Sequence, residues 1–142
     1  MRIWNRRSIL AALSGIVPFV GHRGEAAPAS EHARFVEQAF AMKRKAIDNG
    51  DQAYGAVVVR AGEIVGFGPS NVRERGEWVG HAEREAMRDA QGRLGRADLF
   101  DCVMYSTSPP CSRCQGVAAQ AQLSRMFAGP DATDLGPPRP VR

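Results

Sequence analysis

The chain has 142 residues, 44% of them hydrophobic and 24% charged, a balance that fits one globular domain rather than a disordered or fibrous chain. The formal net charge of +4 is uneven: residues 1–29 hold Arg2, Arg6, Arg7 and Arg23 against Glu25, and the remainder is nearly neutral. Net charge therefore implies no broad nucleic-acid-binding surface. Three cysteines are too few, and odd in number, for a disulfide framework.

Residues 1–29 read as an export signal: basic Asn5-Arg6-Arg7-Ser8, an apolar stretch from Ile9 to Val20, then small residues around Gly24-Glu25-Ala26-Ala27. The adjacent arginines resemble a twin-arginine signal, which serves a receptor-read route to the bacterial periplasm. Gly15 and Pro18 interrupt a stretch already short for a transmembrane helix, so no stable membrane insertion is expected after processing. An unprocessed basic extension on a cytoplasmic protein is the alternative. A reporter fused to residues 1–35, with and without Arg6 and Arg7 replaced by Lys, separates the two.

From Ser30 to Asn49, Phe35, Val36, Ala39, Phe40, Ala46 and Ile47 recur at helical spacing, with Ser30 as N-cap and Gly50 just past the end. Lys43-Arg44-Lys45 reads as a solvated face of that helix. Ala56–Arg60 and Glu63–Phe67 read as two strands joined by a tight turn at Ala61-Gly62. A polar, glycine-rich loop follows from Gly68 to Gly80, placed to build a substrate wall. A second helix opens at His81 and runs to about Gln91, with Gly92 as its stop. A third strand is expected at 101–106, where Cys102 reads as a small buried hydrophobe. Pro109-Pro110 lead into a third helix from near Cys111, with Pro110 suited to its first turn. A fourth strand is expected at Arg125–Ala128. Residues 130–142, with four prolines and no apolar periodicity, read as an irregular tail.

The chemistry concentrates in Gly80-His81-Ala82-Glu83 and Pro110-Cys111-Ser112-Arg113-Cys114. Cys111 and Cys114, three apart at a helix start, share one face where unpaired N–H groups favour thiolates. Two thiolates and a neutral imidazole balance Zn²⁺ and leave one tetrahedral position open, as catalytic rather than structural zinc sites do. His81 and Glu83 diverge by roughly 200° on an ideal helix, but in its first turn both reach a site beyond the helix end. Glu83 is then a proton carrier that is not a metal ligand.

These motifs, H-x-E and P-C-x-x-C, resemble the signature of the cytidine and nucleobase deaminase superfamily. Tyr54-Gly55-Ala56-Val57-Val58-Val59 is similar to that family's first strand, and Tyr105-Ser106-Thr107 precedes the zinc loop, so the likeness spans about residues 31–129. The resemblance implies an α/β fold, a three-layer α/β/α sandwich with a mixed sheet of about four strands, formed by a deaminase domain at 30–129. It implies one zinc ion per chain on His81, Cys111 and Cys114, catalysis by Glu83, a substrate contact from Asn71, and no other cofactor. The backbone N–H of Cys111 becomes the donor expected to steady the reaction intermediate. The substrate expected is a small base or nucleoside, and the partner a second copy of the chain in a homodimer. Many base deaminases carry an acidic residue where this chain has Pro109, so that contact does not transfer. The tail lacks the helix with which tRNA-acting relatives grip RNA, which makes nucleic acid the less favoured substrate; adenosine deamination in RNA is the alternative. A non-catalytic zinc module or exported effector is the reading from another class, with His22 and His32 as the histidines left over. A redox role for the cysteine pair would leave His81-Ala82-Glu83 unexplained.

Overall fold

The computed structural model describes residues 29–142, and the expected export signal lies outside the described residues apart from Ala29. Helix α1 (Ala29–Asp48) turns a stripe of Phe35, Ala39 and Ala46 inward. Ala29 is already helical, so Ser30 lies within α1 and does not cap it. Gly50, at φ +71°, ends the segment in the left-handed conformation that a glycine adopts without a Cβ clash.

Strand β1 (Gly55–Arg60) is a continuous apolar run because both of its faces are covered. Ala56 and Val58 pack towards the helices α3 and α4 described below, while Val57 and Val59 pack with Phe35 and Ala39 of α1. Strand β2 (Glu63–Pro69) pairs antiparallel with β1 and extends two residues further than expected, since Gly68 and Pro69 pair with Ala56 and Gly55. The proline is tolerated because β2 is an edge strand.

The loop that follows is not wholly irregular. Val72–Arg75 form a one-turn helix, α2. Helix α3 (Ala82–Leu94) begins with His81 as N-cap and runs through Gly92, ending on Gly95 at φ +66°. Gly92 is therefore an interior residue, and the left-handed cap falls three residues later than its sequence suggested.

Strand β3 (Cys102–Ser106) pairs antiparallel with β1 and parallel with β4 (Arg125–Ala128), and helix α4 (Ser112–Gln120) makes the crossover. Cys111 is the N-cap of α4, so Pro110 precedes the helix instead of occupying its first turn. The stretch read as an irregular tail contains a fifth strand, β5 (Thr133–Gly136), antiparallel to β4. It is four residues long, with Thr133 and Asp134 exposed and Leu135 as its one apolar contribution to the core, and so carries no alternation to read. Among the described residues the sheet thus has five strands in the order β2-β1-β3-β4-β5, one more than the roughly four expected. With α1 on one face and α3 and α4 on the other, the molecule is the expected α/β/α sandwich. Among the described residues no helix is long and apolar enough to cross a membrane.

Candidate active site

The site forms where two helices start on the same face of the sheet. His81 takes an extended conformation at φ −60°, ψ 143°, and its side chain makes no cap hydrogen bond. The imidazole is thus free to reach across to α4. Its Nδ1 lies 3.4 Å from Cys114 Sγ and 3.7 Å from Cys111 Sγ. All three ligand atoms fall within 4.8 Å of one another. Zinc bonds of about 2.1 Å to nitrogen and 2.3 Å to sulfur at tetrahedral angles separate N and S by roughly 3.6 Å, so the donors fit the ion as they stand.

Cys111 also serves the fold. Its sulfur accepts a hydrogen bond from the Cys114 backbone N–H at 3.5 Å, the position an N-cap Ser or Asp would fill. Cys114 is fully buried. Burial pushes its thiol up, and the Glu83 carboxylate and Cys111 beside it push the same way, so a thiolate there calls for a cation.

Glu83 sits in the first turn of α3 and is only 6% exposed. Burial raises its pKa, against its own backbone N–H, the charge of His81 and the Cys114 thiol, which lower it. With His81, Ala82 and Cys111 it lines a pocket of about 580 Å³, whose other walls are Gln52, Ala53, Tyr54, Glu77, Ser108 and Pro109. The four residues singled out for chemistry therefore converge: three as ligands and one as a carboxylate beside them.

Asn71 does not line that pocket. Its side-chain amide donates to Glu74 Oε2 at 3.3 Å, and its backbone N–H donates to the Gly80 carbonyl at 2.8 Å, next to His81. The loop that carries it is fastened by Asp51, whose carboxylate accepts from Gln52 N at 2.8 Å, Ser70 Oγ at 2.9 Å, Val72 N at 3.1 Å and Arg73 N at 2.9 Å. Burial opposes ionisation of Asp51, but these donations together hold its carboxyl below the usual range. Arg75 adds a 3.0 Å ion pair to Glu85, tying α2 to α3.

The remaining sulfur and the nearest spare imidazole belong elsewhere. Cys102 is buried in the core, its thiol pushed up to about 11 by burial first of all, as a small hydrophobe's would be. His32 meets the Tyr105 hydroxyl at 2.8 Å in the layer between the sheet and α1, on the other side from the zinc donors, and His22 lies outside the described residues. No fourth protein ligand completes the cluster among the described residues. Sequence reasoning missed Gln52, Tyr54, Glu77 and Ser108 as pocket residues. The loop holding Glu77 had been marked as a wall by its composition, but nothing local distinguished that residue from Glu74.

Residues 29–129 match the family described as the cytidine and deoxycytidylate deaminase zinc-binding region, and the chain belongs to that family. The zinc-binding group of this family domain is His81, Cys111 and Cys114. Guanine deaminase of Bacillus subtilis (strain 168) is 32% identical over 104 residues, which cover 72% of this chain and 67% of the relative. Its crystal structure is similar with a TM-score of 0.65 at 31% identity, covering 69% of this chain and 63% of that one. A solved structure from work on tRNA:A34 deaminases has a TM-score of 0.66 at 28% identity, covering 69% of this chain and 75% of its own. The tRNA(Ile)-lysidine synthase of Deinococcus radiodurans is 39% identical over 103 residues, 70% of this chain but only 18% of the synthase.

Proposed function

We propose that the protein hydrolyses the exocyclic amino group of a nucleobase or nucleoside, releasing ammonia and leaving an oxo group on the ring. The observation that carries this reading is a buried carboxylate, Glu83, set beside a three-donor zinc site at one pocket. His81, Cys111 and Cys114 would hold a zinc ion, which when bound would acidify a water so that a nucleophile is available at neutral pH.

Glu83 is placed to accept a proton from the attacking water and to deliver it to a ring nitrogen as the water oxygen adds to the amino-bearing carbon. It then carries the hydroxyl proton to the amine, the C–N bond breaks, and ammonia leaves. One water is consumed for each ammonia. The backbone N–H of Cys111, at the start of α4, is the donor we assign to the tetrahedral carbon's oxygen. We assign Asn71 a substrate contact made when its amide leaves Glu74; Asn71→Ala should raise KM with zinc content unchanged, and an unaltered KM would remove it.

The test is ammonia release by the zinc-loaded protein over a panel of amino-purines and amino-pyrimidines, as bases and as nucleosides. We expect turnover of at least one member, abolished by chelation and restored by zinc. No turnover on any member would favour a non-catalytic zinc module. The likeness to tRNA:A34 deaminases supports a second reading, adenosine in RNA. That reading requires tRNA binding whose logarithm falls steeply with log salt, and no binding at low salt would dismiss it.

A further inference from the structure

The pocket contains a second carboxylate that the proposed reaction leaves without a task. Burial orders its walls: Ala82 and Glu83 are buried at the floor, whereas Ala53, Tyr54, Glu77 and Pro109 are exposed at the rim. Glu77 is held there from two sides. Gln52 Nε2 reaches its Oε2 at 3.4 Å, joining the segment ahead of β1 to the loop ahead of α3. Its neighbour Trp78 is gripped from outside the pocket, with the Arg113 guanidinium 3.8 Å from the ring centroid and Arg84 donating to the Trp78 carbonyl.

Both arginines are engaged on Trp78, and neither lines the pocket. Among the described residues the lining holds two carboxylates, Glu77 and Glu83, and no lysine or arginine. Pro109 contributes no side-chain donor. A rim of that composition offers acceptors, the free carboxylate oxygen of Glu77 and the amide oxygen of Gln52. It opposes negative charge, which like-charge repulsion makes costly at close range.

We propose that Glu77 determines specificity at the rim: its carboxylate accepts a hydrogen bond from a ring N–H or a sugar hydroxyl of a neutral substrate and repels phosphate. The substrate class is therefore an unphosphorylated base or nucleoside, and nucleotides and RNA are turned away. This assignment rests on the deamination proposed above. A hydrogen bond to a charged acceptor is strong enough to favour the substrate that supplies its donor.

Glu77→Gln and Glu77→Lys test it, since both alter an exposed loop side chain and leave the metal donors in place. Matched sets of base, nucleoside and nucleoside 5′-monophosphate are compared by kcat/KM where they turn over, and otherwise by inhibition of the best substrate. Preference for the monophosphate over its unphosphorylated partner should rise at least tenfold in Glu77→Gln and further in Glu77→Lys. The preferred neutral substrate should lose about tenfold through KM. Whichever of base and nucleoside loses more identifies the donor as ring N–H or sugar hydroxyl. Zinc content and the unfolding midpoint should stay as in the wild type. Unchanged preferences in both variants would overturn the role of Glu77 alone. Wild-type turnover of monophosphates as efficient as that of nucleosides would do the same. A wild-type protein that releases ammonia from none of the compounds would instead bring down the reaction and this assignment with it.

Discussion

Cys111 combines two demands at one position, as a metal donor and as the cap of the helix that carries the other cysteine. This is why a spacing of three suffices to identify the pair: the cap residue and the third helical residue meet by local geometry alone. The same holds for His81 and Glu83 in the opening of α3, so all four groups are legible from short stretches of sequence. Gln52 and Glu77 are not, because they meet only through the fold, 25 residues apart in the chain. Asp51 is illegible for the same reason, and it is the residue on which the loop wall depends. Asp51→Asn weakens four hydrogen bonds that want a charged acceptor and should cost roughly 1–2 kcal/mol, read in denaturant unfolding. The folded carboxyl ionises below the unfolded one, so its share of stability is complete above about pH 4 and is lost as pH falls through the lower folded value. We expect the wild-type advantage over Asp51→Asn to be full near neutrality and to vanish in acid; an advantage independent of pH would contradict this.

At the scale of elements, the closest packing is that of α3 on β2. A Cβ on Gly68 would lie 2.0 Å from the Ala82 carbonyl oxygen and 2.5 Å from the Ala86 nitrogen, and one on Gly66 would lie 2.2 Å from the Ala86 oxygen. These are backbone atoms of the helix that presents His81 and Glu83, so the glycines set how near the catalytic helix lies to the sheet. Gly68→Ala should destabilise by about 2–3 kcal/mol and lower the unfolding midpoint by roughly 5–10 °C, with weaker zinc retention. Gly92→Ala is the control. Nothing lies within 4 Å of a Cβ there, and an alanine inside a helix should stabilise by about 0.5–1 kcal/mol. Equal midpoints for the two variants would refute this account of the packing. The principal strands and helices were legible because their apolar spacing is dictated by two covered faces of one sheet. The end of α3 was misplaced because Gly92 and Gly95 look alike in sequence, and only the conformation at Gly95 makes it the cap. Strand β5 was missed because its stability comes from pairing with β4, not from its own side chains.

For the whole molecule, the three layers hold the face of α3 and α4, where the zinc donors converge, apart from a supporting face covered by α1. A small domain with two edge strands, β2 and β5, gains from association. Ile47, Tyr54, Trp78, Val79 and Phe100 remain exposed on it. We expect a homodimer, seen as twice the chain mass by light scattering at micromolar concentration; a monomeric mass would count against it. The account turns on Glu83 as a proton carrier that holds no metal. Replacing it with glutamine keeps the shape and removes the carboxyl that accepts and releases a proton, so zinc content and ammonia release measured on the same Glu83→Gln sample address that claim most directly. The prediction is one zinc per chain with turnover reduced on the order of a thousandfold; zinc retained together with wild-type turnover would contradict it.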